Sequence, residues 1–261
     1  MDFATLIIIL IAGISAGVVT GLVGASAAII MGPILILCLK MDPYLAIGLS
    51  LGTDVVASIV AGRIYYKNKH VDLNPILFLI LFSFAGIVLG SYVSTLLPSN
   101  DLSGITGIAI LITGFLFMLN KKEGMNKSTF LEKFRLKFKK HQIIWLSIIG
   151  FLIGLDVGIF GTGGGVIMLF VLVFILDYEM HMAIGTSIIV MIVMAFSAGV
   201  SHYYFEPFSL IFLLIAVIGG FFGARYSSIF ANNISENKLK KIVGIILIIL
   251  GAVLTTKIFF W

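Results

Sequence analysis

Residues able to do chemistry in this chain gather at two glycine-rich stretches and two isolated acids. The first stretch is "GIFGTGGG", residues 158–165, flanked on both sides by apolar sequence. Glycine costs about 1 kcal/mol against alanine inside a helix, so Gly161, Gly163, Gly164 and Gly165 argue against an unbroken helix here. Such a run can serve as a nucleotide loop, as a packing face, or as a break that leaves polar backbone inside a membrane. No Lys-Ser/Thr follows the glycines, as a phosphate-binding loop requires, and that reading is set aside. The second stretch is "GLVGASAA", residues 21–28. Where a helix starts from such a turn, its free N–H groups and positive dipole end can hold an anion. Ser26 and Thr162 place hydroxyls beside those donors, and the glycines allow close backbone approach.

Asp54, in "GLSLGTDVVASIVAG", and Asp156, in "GLDVGIFG", interrupt otherwise apolar stretches. Intramembrane carboxylates are costly and are functional hypotheses by default. Both are therefore coupling candidates, for a proton or as salt-bridge partners of Arg63 or Arg225. The competing explanation is interhelical hydrogen bonding. Ser50 and Asp54 are four apart and share a helix face. Two intramembrane aspartates also raise an aspartyl protease, but Leu51-Gly52-Thr53-Asp54 and Gly154-Leu155-Asp156 lack the G-x-G-D element. A serine protease of the G-x-S-G type fails at Gly24-Ala25-Ser26-Ala27. No catalytic residue is expected, and the chain does not read as an enzyme.

The elements that must position these residues are membrane helices. Of 261 residues, 60% are hydrophobic and 11% charged, against about 45–50% apolar and about 25% charged in soluble domains. Cys38 is the only cysteine, and His70, His141, His181 and His202 are scattered without H-E-x-x-H spacing, so neither metal nor cofactor is expected. His202 and Glu206 read as interfacial polar residues. The net charge of +5 arises from loops and is no nucleic-acid signal. The start, "MDFATLIIILIAG", lacks a basic n-region and reads as the first helix.

The chain also repeats itself. Residues 13–66 align without a gap on 150–203, with 16 identities in 54 positions. They include Gly13/Gly150, Gly17/Gly154, Gly21/Gly158, Gly24/Gly161, and "AIGLS" (46–50) against "AIGTS" (183–187). Each copy divides into five apolar segments. The first copy has 3–23, 27–39, 44–66, 75–97 and 102–119; the second has 143–160, 164–176, 181–203, 207–230 and 241–260. The expected organisation is a first repeat over 1–119, a basic linker over 120–142, and a second repeat over 143–261. The linker holds eight Lys/Arg and two Glu, with Phe130, Phe134 and Phe138 at i+4 spacing. It fits a surface amphipathic helix or a solvated linker equally well.

Placing 120–142 in the cytoplasm puts 15 of the 17 basic residues there, leaving Lys40 and Lys257 outside. Both termini then lie outside the cell membrane. Five segments per copy is odd, so the copies are inverted. Inverted repeats are a recurrent architecture of secondary transporters, with the site at mid-membrane. The segments 27–39 and 164–176 are too short to span about 30 Å of hydrocarbon and read as the return arms of re-entrant hairpins. Their glycine-rich tips must be buried in protein or line a cavity. The remaining glycine pairs, such as Gly86/Gly90 and Gly219/Gly223, read as helix-packing sites.

The paired motifs resemble the sulfite exporter TauE/SafE family, also called toluene-sulfonate uptake permeases. The resemblance rests on "GLVGASAAIIMGP" (21–33) with "AIGLS", and on "GIFGTGGGVIMLF" (158–170) with "AIGTS", and spans the chain. The first copy departs from the family's glycine triplet with Ser26-Ala27-Ala28, and the second has Phe170 where the first keeps Pro33. Asp54 is not assigned by the family pattern. The resemblance implies transport of sulfite or an organosulfur anion such as a sulfonate.

The expectation is therefore an all-α polytopic membrane protein, a secondary transporter for a small anion. Its binding residues are expected at Gly24, Ala25, Ser26, Ala27, Ser50, Thr53, Gly161, Thr162, Gly163, Gly164, Gly165, Thr186 and Ser187. Its partners are the anion and the lipid bilayer; self-association is left open. A proton- or cation-coupled carrier centred on Asp54, and a scaffold or sensor working through the basic linker, are the alternative readings.

Overall fold

In the computed structural model the described residues are 3–73, 76–94, 103–119, 141–160 and 164–260. Nearly all of the basic linker, together with Gly161, Thr162 and Gly163, lies outside them. The described residues form ten helices and no strand. They are α1 (Phe3–Val23), α2 (Ala28–Leu39), α3 (Pro43–Lys67), α4 (Ile76–Ser94), α5 (Ser103–Leu119), α6 (Gln142–Phe160), α7 (Gly164–Phe170), α8 (Met180–Phe205), α9 (Leu210–Asn233) and α10 (Glu236–Phe260). A π-helical turn, Val171–Ile175, extends α7.

Four of these helices, α1, α3, α8 and α9, are long and apolar enough to cross a membrane. Their outer sides show large apolar side chains that water would not tolerate in such number, among them Ile11, Ile59, Phe196 and Leu214. By contrast α2 has 12 residues, about 18 Å of helix, and cannot span about 30 Å. The chain is an all-α polytopic membrane protein.

Local chemistry fixes the helix ends. Asp42 caps α3, its Oδ1 accepting the N–H groups of Tyr44 at 2.8 Å and Leu45 at 3.4 Å, and Pro43 fills the first turn. Ser209 caps α9 by accepting the Phe212 N–H. At the far end of α2, Lys40 takes a left-handed backbone (φ 49°), and Asp177 does the same (φ 62°) after the π turn. These two are 137 residues apart. The Met41 N–H donates to the Leu35 carbonyl and the Tyr178 N–H to the Leu172 carbonyl. The Ala46 N–H donates to Asp42 and the Ala183 N–H to Glu179. Each second bond is the first displaced by 137, so the local folding of the two stretches follows the sequence repeat.

Helix pairing is set by small residues. The four closest pairings are α1 with α9, α4 with α6, α5 with α10, and α3 with α8. A Cβ on Gly13 or Gly17 of α1 would clash with the carbonyls of Ala216 and Gly220 on α9. One on Gly154 would clash with the Ser83 carbonyl, and one on Gly158 would lie 2.5 Å from the Ile87 carbonyl, both on α4. Only glycine permits these backbone approaches. Advancing α1 and α4 by one copy gives α6 and α9, which turns the first pairing into the second.

Candidate functional site

α1 stops at Val23 because the next residue turns the chain. Gly24 has φ +68°, accessible to glycine at no steric cost, and its N–H still donates to the Thr20 carbonyl at 2.9 Å. Residues 24–27 form the first tip, from which α2 departs. On the other side, Gly164 and Gly165 open α7. A Cβ on Gly165 would lie 2.7 Å from both the Ala25 Cα and the Gly24 oxygen, and 3.1 Å from the Ser26 nitrogen. The two glycine-rich stretches thus meet backbone to backbone inside the protein. A Cβ on Gly164 would clash with the Val157 side chain of α6. Close packing is a sufficient reason for glycine at both positions.

Ser187, from the second AIGxS block, closes the same junction. Its hydroxyl is within hydrogen-bond reach of the Gly24 oxygen at 3.2 Å and the Ile184 oxygen at 2.8 Å. Ala25, Ser26, Ala27 and Ser187 are all without solvent exposure.

Asp54 belongs to the first tip. Its Oδ1 accepts the Thr20 hydroxyl of α1 at 3.0 Å and the Ser58 hydroxyl at 3.3 Å. The Ser26 hydroxyl and the Ala27 N–H also approach the carboxyl. Ser26 Oγ also accepts the Ala28 N–H at 3.3 Å. Asp54 therefore sits at the positive end of α2 in a shell of donors. It has no exposure, and Oδ2 has no hydrogen-bond partner among the described residues. Arg63 and Arg225, the basic partners considered from sequence, are exposed on the outer faces of α3 and α9. In the second copy the equivalent position is the buried, uncharged Met191.

The other sequence candidates are placed differently. Ser50 and Thr53 are buried but bond back to their own helix, Ser50 to the Ala46 carbonyl at 2.6 Å and Thr53 to the Leu49 carbonyl at 2.9 Å. Their hydroxyl protons are thereby occupied, and each oxygen keeps only acceptor capacity. Thr186 accepts the Asp72 N–H at 3.0 Å, which ties it to the loop after α3 rather than to the tips. Asp156 is half-buried on α6. Gly161, Thr162 and Gly163 fall outside the described residues. Among the described residues no group of three or more His, Cys, Asp or Glu side chains gathers to hold a metal.

Two closures flank the tips. At the lower end of α3, the Tyr65 hydroxyl donates to the Gly21 carbonyl at 3.0 Å, and the His70 carbonyl packs on Gly185. The Tyr178 hydroxyl donates to Asp72 at 2.5 Å, and the His70 Nδ1 meets the Asn232 oxygen at 2.7 Å. Burial, reinforced by the neighbouring Asp72 carboxylate, pushes the Tyr178 hydroxyl above its ordinary range, so it stays a donor. His181 pairs with Glu236 at 2.8 Å beside it. At the opposite end the closure is aromatic. His202 stacks on Tyr44 with ring centroids 4.3 Å apart, and Phe208 packs on Gly48. His202 is buried rather than interfacial as its position near a helix end implied, because Tyr44 and Phe208 fold over it.

Thr20, Ser58 and Tyr65 are not singled out by the sequence, which marks His202 only as an interfacial residue. Ser58 lies four residues after Asp54, a helical spacing that marks it as a neighbour. Tyr65 and His202 occupy equivalent positions of the repeat, although their residue types differ. Thr20 carries no such signal, since only the crossing of α1 and α3 brings it to the carboxyl.

A family model described as "Sulfite exporter TauE/SafE" matches residues 9–254. Among curated proteins, the chain is 26% identical to the probable membrane transporter protein YunE of Bacillus subtilis, covering 94% of this chain and 95% of that one. It is 25% identical to the probable membrane transporter protein YdhB of the same organism, covering 82% and 86%. It is 24% identical to a probable membrane transporter protein of Xylella fastidiosa, covering 95% and 94%. No solved structure matches it.

Proposed function

The chain belongs to the sulfite exporter TauE/SafE family, and from that premise we propose that this membrane transporter moves a small anion, sulfite or an organosulfur anion such as a sulfonate. The observation that carries the reading is the meeting of the tips, Gly165 against Gly24, Ala25 and Ser26, deep inside the helices. Backbone that leaves a helix at membrane depth is tolerated where it lines a substrate site. Here α2 begins at that point, and its amino end favours negative charge.

The two copies are read as inverted repeats, residues 1–119 and 143–261, joined by a cytoplasmic linker over 120–142, with both termini outside. The exchange of pairings between α1–α9 and α4–α6 supports a two-fold relation between the copies. The odd number of segments per copy and the distribution of basic residues are what favour inversion and this orientation. Alternating access then consists of opening one flanking closure while the other holds. The Tyr65–His70–Tyr178 side faces the cytoplasm, where the basic residues gather, and the Tyr44–His202–Phe208 side faces out. Gly161, Thr162 and Gly163 are assigned to the same site from their sequence motif alone.

A cation carrier centred on Asp54 is the weaker reading. The groups turned toward that carboxyl present hydrogens to it (two hydroxyls, a third from Ser26, and a backbone N–H), an arrangement that suits negative charge and that a cation would have to reorient. Purified protein screened by thermal shift against sulfite, sulfate, thiosulfate, methanesulfonate and sodium tests the choice. Stabilisation by one or more of the anions and none by sodium is expected. Stabilisation by sodium alone would overturn the anion reading.

A further inference from the structure

Asp54 poses a physical problem for an anion site, since a fixed negative charge at the amino end of α2 competes with the substrate for the same donors. We propose that Asp54 is a proton-coupling site: its carboxylate occupies the donors at the start of α2 when no substrate is bound, and it takes up one proton each time an anion binds. This deepens the anion reading of the tips and rests on it.

The carboxyl is completely enclosed, and Oδ2 has no hydrogen-bond partner while Oδ1 holds Thr20 and Ser58. A proton placed on Oδ2 therefore breaks no existing bond of that oxygen. It converts an acceptor-only group into a neutral acid and removes the charge that opposes an incoming anion. The Ala27 N–H and the Ser26 hydroxyl, which approach the carboxyl in the empty state, become available to the anion.

Among the described residues no nearby charge substitutes for the proton. On α3 itself Arg63, Tyr66 and Lys67 are exposed, the Tyr65 hydroxyl is engaged by Gly21, and Tyr44 stacks on His202 at the outer end. On α8 His181 is engaged by Glu236, His202 by Tyr44, and Tyr203 by Phe208, while Tyr204 is exposed. On α9 Arg225 and Tyr226 are exposed. The described part of α1 has no titratable side chain, and α2 has only the exposed Cys38. The second copy has Met191 at the equivalent position, so the device exists once per chain.

The step is charge-balanced. One anion and one proton enter from the same face, Asp54 carries the proton while the anion is bound, and both leave on the other face. With a monovalent sulfonate the cycle moves no net charge.

Methanesulfonate is the probe, because its own charge does not change between pH 5 and 9. Detergent-solubilised full-length protein is titrated with it in weakly buffered solution while released or absorbed protons are followed with an indicator dye. Uptake approaching one proton per anion is expected at alkaline pH, with affinity falling about tenfold per pH unit there. In Asp54→Asn the proton uptake vanishes and affinity no longer varies with pH. The wild-type proton count needs no variant, so a misfolded Asp54→Asn protein leaves the test intact. Methanesulfonate binding without proton uptake, or uptake that persists in a folded Asp54→Asn protein, overturns the coupling proposal and leaves the anion reading standing. Failure of methanesulfonate, sulfite and sulfate to bind at any pH overturns both.

Discussion

Gly165 and Ala25, 140 positions apart in sequence, approach so closely that a Cβ on the glycine would lie 2.7 Å from the Ala25 Cα. This contact joins the two copies at their glycine-rich tips. It explains why the second copy has glycine where the first has Ala28, since the backbone of residues 24–26 fills the space a side chain would need. The centre of the molecule is thus a backbone-to-backbone junction, and it sets what substitutions there will do.

Gly165→Ala places a methyl group against backbone that has no rotamer with which to yield. Overpacking of this kind costs about 1–3 kcal/mol. Gly32, on α2, has nothing within 4 Å of an added Cβ. Gly32→Ala is therefore expected to stabilise the helix, by about 1 kcal/mol. Thermal unfolding in detergent should move in opposite directions for the two variants, and a shared direction would deny the junction its packing role.

The Thr20–Asp54 hydrogen bond crosses from α1 to α3 in a fully buried setting. Thr20→Val leaves the carboxyl with a donor fewer and should cost about 1–3 kcal/mol. Asp54→Asn weakens the same bond from the other side, so the two substitutions combined should cost less than their sum. Unfolding midpoints of the single and double variants give the coupling directly. Strict additivity would mean that the contact carries no energy.

The Tyr178–Asp72 bond has a defined pH signature. Burial and the Asp72 carboxylate raise the folded hydroxyl above its ordinary range, whereas an unfolded tyrosine loses its proton near pH 10. The unfolded chain then binds fewer protons than the folded one. The stabilisation is fully present below about pH 10 and is lost as pH rises above it. Tyr178→Phe should cost about 1 kcal/mol at neutral pH. Its deficit relative to wild type should narrow above pH 10, as read by thermal unfolding across pH.

Lys40 and Asp177 end equivalent short helices with the same left-handed backbone, and both are exposed. Inverted copies place them on opposite faces of the membrane. With Cys38 replaced by serine, a cysteine at position 40 should react with an impermeant maleimide in intact cells, and one at position 177 only after the cytoplasmic face is opened. Labelling of both from outside would show the copies to be parallel.

Much of this arrangement is legible in the residues alone. The apolar segments 27–39 and 164–176 correspond closely to α2 and to α7 with its π turn, because length and composition dictate them. The glycine motifs mark the tips for the same reason. Three features are not legible there. Asp54 reads as an isolated acid until the crossing of α1 and α3 supplies Thr20 and the start of α2 supplies Ala27. Thr186 reads as part of the tip cluster because it adjoins Ser187, yet successive helix positions point about 100° apart, and its hydroxyl reaches Asp72 instead. His202 reads as interfacial because it stands near a helix end, and only the fold of Tyr44 and Phe208 over it buries the ring.

The central claim, that a small anion crosses at the junction of the tips, is tested most directly by exchange of labelled anions in proteoliposomes. Sulfite, sulfate, thiosulfate and methanesulfonate are compared for wild-type protein and Gly165→Val. Exchange of at least one of them above protein-free vesicles is expected, with a rate lowered about tenfold or more in Gly165→Val, about 1.4 kcal/mol on the transport barrier. Exchange of none of them by folded wild-type protein, or wild-type exchange by folded Gly165→Val, would contradict it.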